Sequence, residues 1–282
     1  MGTTEIINRL KELDLSKFPV EEIETLLRQL FSVPIPIVTT DYAFPKELER
    51  AVNNTEDEPV FNSKNRISFK PARLNTTYQR ASIPKTTMFY ASVIPEEDLN
   101  DDEIKYARIT GAYEVVDLLR DNINGESKVT FGKWQVQDLI SVTSIFDPNI
   151  DYKINYINKV RDFYKNQKLE DAEITQRDEV LSFLASEFSK NIVKGENYSY
   201  LISAILTELI VNNNSDGVLY PSVQSDGYGL CIALHPRVVE KLKLIKVLQC
   251  RIIKEDNSIK IYNEKNCLIE NDSDTFELVD IE

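Results

Sequence analysis

The chain has 282 residues, 42% of them hydrophobic, and carries 33 basic against 46 acidic side chains for a net charge of -13. That balance argues against disorder, and against a duplex nucleic acid as partner, because the overall field repels phosphate backbones. A single histidine and three scattered cysteines exclude most metal and catalytic-triad chemistry.

The first fifty residues are predicted to be helical and separate. Ile6, Ile7, Leu10 and Leu13 recur at helical spacing, and Pro19 opens a second stripe of Val20, Ile23, Leu27 and Leu30. The prolines of residues 33–40 demand extended chain. A short helix is expected over residues 45–54, running into the acidic NTEDEP loop, which marks a boundary near residue 60. The expected division is thus an N-terminal helical extension, 1–59, and a larger domain, 60–282.

Beyond it, RISFK (66–70) and TMFYASV (87–93) have strand composition, residues 103–121 are helical, and residues 128–146 are β-like, the first half alternating cleanly. Helices are expected at about 151–165, 172–193 and 198–212, then two buried strands in DGVLYPS and YGLCIALH. Residues 242–282 read as an antiparallel meander. Strands and helices that do not alternate strictly indicate an α+β fold.

The amino terminus carries charges where an export signal needs apolar residues, and no apolar run approaches the roughly 20 residues that span a bilayer. The expectation is a cytoplasmic protein with no membrane and no nucleic acid among its partners. Cys231, Cys250 and Cys267 are expected as reduced, partly buried thiols. His235, just before a proline, is expected to be structural. There is neither a GxGxxG nor a GxxxxGK[ST] pattern, so any phosphorylated ligand must be held by side chains.

One stretch departs from the chain's acidity. Between Val60 and Pro95 there is no Asp or Glu, whereas Lys64, Arg66, Lys70, Arg73, Arg80 and Lys85 are all present. At average acid content about six carboxylates would fall there. Tyr78, Phe89 and Tyr90 lie in the same stretch. Guanidinium forks with aromatic neighbours suit a ligand with both phosphates and a flat ring. The alternative is that these cations pair with the acidic loops 54–59 and 96–103.

Three motifs in order carry a resemblance. QRASIPKTTMFYAS (79–92) has an arginine and, ten residues on, a tyrosine in a strand. TGAYE (110–114) sets a glutamate in a helix, and DGVLYPSVQSDGYGLCIAL (216–234) joins two strands through Pro-Ser. Together they resemble the RES domain, over roughly residues 64–240. The chain departs from that family at Gln79, Ser82 and Gln224, and in the acidic insert EEDLNDDE before the glutamate.

The resemblance implies an ADP-ribosyltransferase-like mixed β core with surrounding helices, to which the N-terminal segment and a helical insertion at about 147–195 are additions. It implies NAD or a related nucleotide as substrate, no cofactor, and an antitoxin protein as partner. The site residues it implies are Glu114, Arg80, Tyr90 and Ser222, with an upstream arginine for which Arg73 is preferred over Arg66. Glu114 would stabilise the oxocarbenium-like transition state formed when nicotinamide leaves ribose. Arg80 and Arg73 would hold pyrophosphate, Tyr90 would stack or pin the ribose, and Ser222 would hydrogen-bond the substrate. Hydrolysis, phosphorolysis and ADP-ribosyl transfer stay open, as does a catalytically quiet nucleotide-binding protein. The apolar stripes of residues 1–31 predict either cover for the core or a homo-oligomer interface.

Overall fold

The computed structural model describes residues 1–32, 38–94, 101–121, 123–167, 171–193, 195–225, 229–256, 258–270 and 273–281, with backbone alone at 101–106 and 171–172. Its centre is a ten-stranded mixed sheet. The strands are β1 (Thr39–Tyr42), β2 (Glu47–Asn53), β3 (Phe89–Val93), β4 (Gly125–Val136), β5 (Ile140–Ser144), β6 (Gly217–Pro221), β7 (Leu230–Leu234), β8 (Leu242–Glu255), β9 (Ser258–Leu268) and β10 (Val279–Asp280). They lie in the order β1-β5-β6-β7-β3-β2-β4-β8-β9-β10. Of the described pairings only β5 with β6 is parallel. The fold is α+β, and both strands that precede residue 60 are hydrogen-bonded into the same sheet as the later ones.

Two-residue alternation divides the apolar side chains between the sheet's faces. On β7, Cys231 and Ala233 join the cluster formed with α1 (Thr3–Glu12), α2 (Val20–Leu30), α6 (Asp171–Phe188) and α7 (Leu201–Asn212). Leu230, Ile232 and Leu234 point the other way, towards Trp134, Phe146 and Ile157 of α5 (Asn155–Lys165). The stripes of the first thirty residues are spent inside the molecule, where Ile6, Ile7, Leu10, Ile23, Leu27 and Leu30 are all buried. Burying each such side chain contributes about 1.5–3 kcal/mol. The very apolar α7 is buried nearly all round, and Thr207 satisfies its hydroxyl on the Ser203 carbonyl at 2.9 Å. A third cluster seats α3 (Asp101–Val115) and the one-turn α4 (Asp117–Arg120) on β4 and β8 through Ala112, Val116 and Leu119.

The structure corrects several expectations. The helix expected over 45–54 is strand β2, which bonds to β3 on one side and β4 on the other. The helix propensity of Glu-Leu-Glu-Arg-Ala is a bias of a few tenths of a kcal/mol per residue. It yields to a central place in the sheet, where the strand pairs along its whole length with β4 and at Leu48 and Glu49 with β3, and Leu48 and Ala51 are buried. RISFK is no strand: Lys64–Ile67 forms a 3-10 turn that drops Ile67 and Phe69 into the core beside Trp134. Of TFELVDI only Val279–Asp280 forms a strand, beside β9, while Thr275 makes an isolated antiparallel bridge with Ser63. The helix over 103–121 breaks at Val116, and the helix expected to reach residue 193 ends at Phe188. The prolines of the extended segment at 33–37, part of the acidic insert at 96–100, and the loop centre at 226–228 lie outside the described residues. Among the described residues, no helix is long and apolar enough to cross a membrane.

Candidate functional site

A cavity of about 380 Å3 opens where α3 crosses β2, β3 and β7, closed on its other side by residues 77–80 and the 3-10 turn Asn197–Tyr200. Its size falls within the roughly 300–1,000 Å3 of small-molecule sites. Close approach of α3 to the sheet depends on glycine at two positions. A Cβ on Gly229, just before β7, would sit 1.8 Å from the Thr110 hydroxyl oxygen. A Cβ on Gly111 would meet that of Ala51 at 3.2 Å.

Seated this way, α3 presents Glu114 to the cavity. The Ser222 hydroxyl donates to Glu114 Oε1 at 2.8 Å, and the Cys231 thiol lies 3.6 Å from the same oxygen. Ser222 is held in turn. Its backbone N–H donates to the Gly229 carbonyl at 2.8 Å, and its Oγ accepts from the Ser225 N–H at 3.3 Å. Burial pushes the Cys231 thiol well above its ordinary range, and the Glu114 charge adds to this. The thiol therefore stays protonated and is a donor to the carboxylate rather than a nucleophile. Tyr220 sits in the same environment, and burial likewise keeps its phenol neutral.

Tyr90 and Arg80 reach the cavity from β3 and the turn before it. Desolvation raises the Tyr90 phenol to about 12. Its oxygen accepts from the Ala81 N–H at 3.1 Å and lies 2.8 Å from the Ser82 Oγ, which itself accepts from the Met88 N–H at 3.1 Å. The residue that departs from the RES pattern at 82 thus ties the arginine-bearing turn to the tyrosine. Arg80 is buried, with its guanidinium donating to the Phe188 carbonyl and, at 3.0 Å, to that of Lys190. It also lies 5.2 Å from the centre of the Tyr200 ring. Two carbonyls at the end of α6 therefore occupy donors that a phosphate would need, an arrangement that also suits the negative end of a helix dipole.

The structure brings together Arg80, Tyr90 and Glu114 as cavity walls and hangs Ser222 on the carboxylate. It does not bring Arg73 there: that side chain is exposed on the turn Ala72–Leu74, away from the lining. Arg66 is paired with Glu58, one of the ion pairs expected between the basic stretch and its acidic flank. The cavity's second arginine is Arg50 of β2. It donates to the Tyr90 carbonyl at 2.6 Å and the Ser68 carbonyl at 3.0 Å, and stands over the Phe89 ring. Burial lowers it to about 10, which still leaves a cation at neutral pH. Beside it, buried Glu49 forms a 2.9 Å ion pair with Arg108 of α3. Neither residue is detectable from a segment read as helix; once 47–53 is a strand, alternation sets Glu49 and Ala51 towards α3.

His235 lies outside the cavity and caps the turn Pro236–Lys241, its Nδ1 accepting from the Arg237 N–H at 3.2 Å. Cys231 and Cys250 are buried free thiols, and Cys267 is half-buried. Among the described residues, no group of three His, Cys, Asp or Glu side chains is placed to hold a metal ion. No family model matches the chain, and no curated protein sequence matches it.

Proposed function

We propose that the cavity binds NAD or a close nucleotide relative, and that the protein cleaves the nicotinamide–ribose bond by hydrolysis or phosphorolysis. The observation that carries this reading is the Glu114 carboxylate on the cavity wall, oriented by the Ser222 hydroxyl at 2.8 Å. A fixed carboxylate beside the ribose favours positive charge that exists only in the transition state, which is how binding energy becomes rate. Arg50 and Arg80 give the cavity its cations, and Tyr90 supplies a neutral phenol beside the ribose. Ser222 acts as a donor that positions Glu114 and not as a nucleophile. The RES resemblance supports the same reading, and with it an ADP-ribosyltransferase-like core and a toxin restrained by an antitoxin. Transfer of ADP-ribose to a macromolecule uses the same cation and differs only in the acceptor.

One observation favours a second reading, a nucleotide-binding protein without turnover. The Arg80 guanidinium is engaged by the Phe188 and Lys190 carbonyls, leaving fewer donors for a pyrophosphate. The two readings separate in one assay, NAD loss by the purified protein with and without phosphate, alongside Glu114→Gln. Turnover that falls at least about 100-fold in the variant supports the enzyme. NAD binding with no loss in either buffer sinks it and leaves the binding protein.

A further inference from the structure

The turn between α1 and α2 holds a phenylalanine in a conformation that costs free energy. Phe18 has φ 53 and ψ 54, the left-handed region, in which a bulky side chain is an outlier and where glycine or asparagine is the usual occupant. The ring is not there to fill the core, since 52% of the residue is exposed. Instead it lies 6.1 Å from the Tyr78 ring, tilted by 34°. Tyr78 is half-buried and lines the cavity beside Gln79 and Arg80. The preceding turn, Leu15–Lys17, packs on the turn Asn197–Tyr200, which forms the cavity's other rim. A strained, water-exposed aromatic at the edge of a ligand cavity is the kind of outlier that marks a binding surface.

Size points the same way. At about 380 Å3 the cavity is at the small end for ligand sites, so a dinucleotide held by its reacting ribose at Glu114 extends out through the mouth. We infer that Phe18 and Tyr78 form an aromatic rim on which the outer base of the nucleotide, a purine, stacks. This rests on the reading of the ligand as a nucleotide. It gives the N-terminal helices a part in recognition: they deliver a ring to the site as well as apolar cover to the core.

The test is calorimetric titration of the whole chain with two mononucleotides, adenosine monophosphate for the outer half and nicotinamide mononucleotide for the inner half. Phe18→Gly removes the ring and relieves the left-handed strain, so it is expected to fold, while Phe18→Trp keeps a ring. The expected result is adenosine monophosphate affinity about tenfold weaker in Phe18→Gly, the size of base–aromatic stacking. Nicotinamide mononucleotide affinity is expected to stay unchanged, and Phe18→Trp to retain wild-type binding of both. The inference is overturned by unchanged adenosine monophosphate affinity in Phe18→Gly, by equal weakening of both ligands, or by a wild type that does not bind adenosine monophosphate. Failure of the catalytic reading is distinct: adenosine monophosphate binding that depends on Phe18, with no loss of NAD, keeps the rim and removes the enzyme.

Discussion

Glu114 and Ser222 stand 108 positions apart in the chain and 2.8 Å apart in the fold, joined by a hydrogen bond from hydroxyl to carboxylate. The bond fixes the direction of the carboxylate without consuming its charge. On the proposed reading, Ser222→Ala is therefore expected to lower the rate of NAD loss roughly tenfold, the worth of one hydrogen bond to a charged group. KM should change little, because the lost interaction is one that matters in the transition state. Steady-state kinetics would show it; a raised KM with kcat intact would place Ser222 on the substrate instead.

Arg80 joins the turn before β3 to the end of α6 through two backbone carbonyls. Arg80→Ala leaves those carbonyls without partners and is expected to cost about 3 kcal/mol in chemical denaturation. Arg80→Lys can reach one of the two and should recover part of this. A variant with undiminished stability would show that the guanidinium is free to serve a ligand.

Gly229→Ala forces a methyl group into the space of the Thr110 side chain, whose oxygen would be 1.8 Å away. Overpacking of this kind typically costs about 1–3 kcal/mol. Because α3 must rise to relieve it, Glu114 moves from Ser222 and activity should fall with stability. Thr110→Gly in the same chain removes the collision, so the double variant should regain activity lost by the single one.

His235 gives a pH dependence whose sign follows from its surroundings. Burial and the neighbouring Arg237 cation hold its imidazole below the ordinary value of 6.5. Below that pH the unfolded chain takes up a proton that the folded protein refuses. Its contribution to stability is thus complete above about pH 6.5 and lost as pH falls towards the depressed value. Urea midpoints across this window should decline in the wild type and decline less in His235→Asn, which keeps a capping side chain without titrating.

Much of the architecture is legible in the sequence where one physical signal dominates. The stripes of α1 and α2 and the alternation of β4 predict their buried faces, and Pro-Ser at the end of β6 marks where Ser222 leaves the sheet. The failures share a cause. Residues 47–53 carry helix-forming side chains, and only their partners on β3 and β4, some forty and eighty residues on, make them a strand. With β2 unseen, Arg50 and Glu49 stay hidden, and the preferred upstream arginine is Arg73, which the fold leaves exposed on the turn Ala72–Leu74. The carbonyls that hold Arg80 belong to Phe188 and Lys190, more than a hundred residues away. No local pattern announces such a partner.

The cavity draws its walls from Glu49 on β2 through to Cys231 on β7, and the serine that orients its carboxylate comes after residue 220. On the ribosome these parts emerge in sequence, with α3 following β2 and β3 and made long before β6 and β7 complete the site. A nascent chain interrupted ahead of β6 has Glu114 but lacks both Ser222 and Cys231, the two side chains that lie against its carboxylate. On the proposed reading, NAD turnover therefore waits until the chain has been made through β7, and fragments that stop before β6 are expected to be inert.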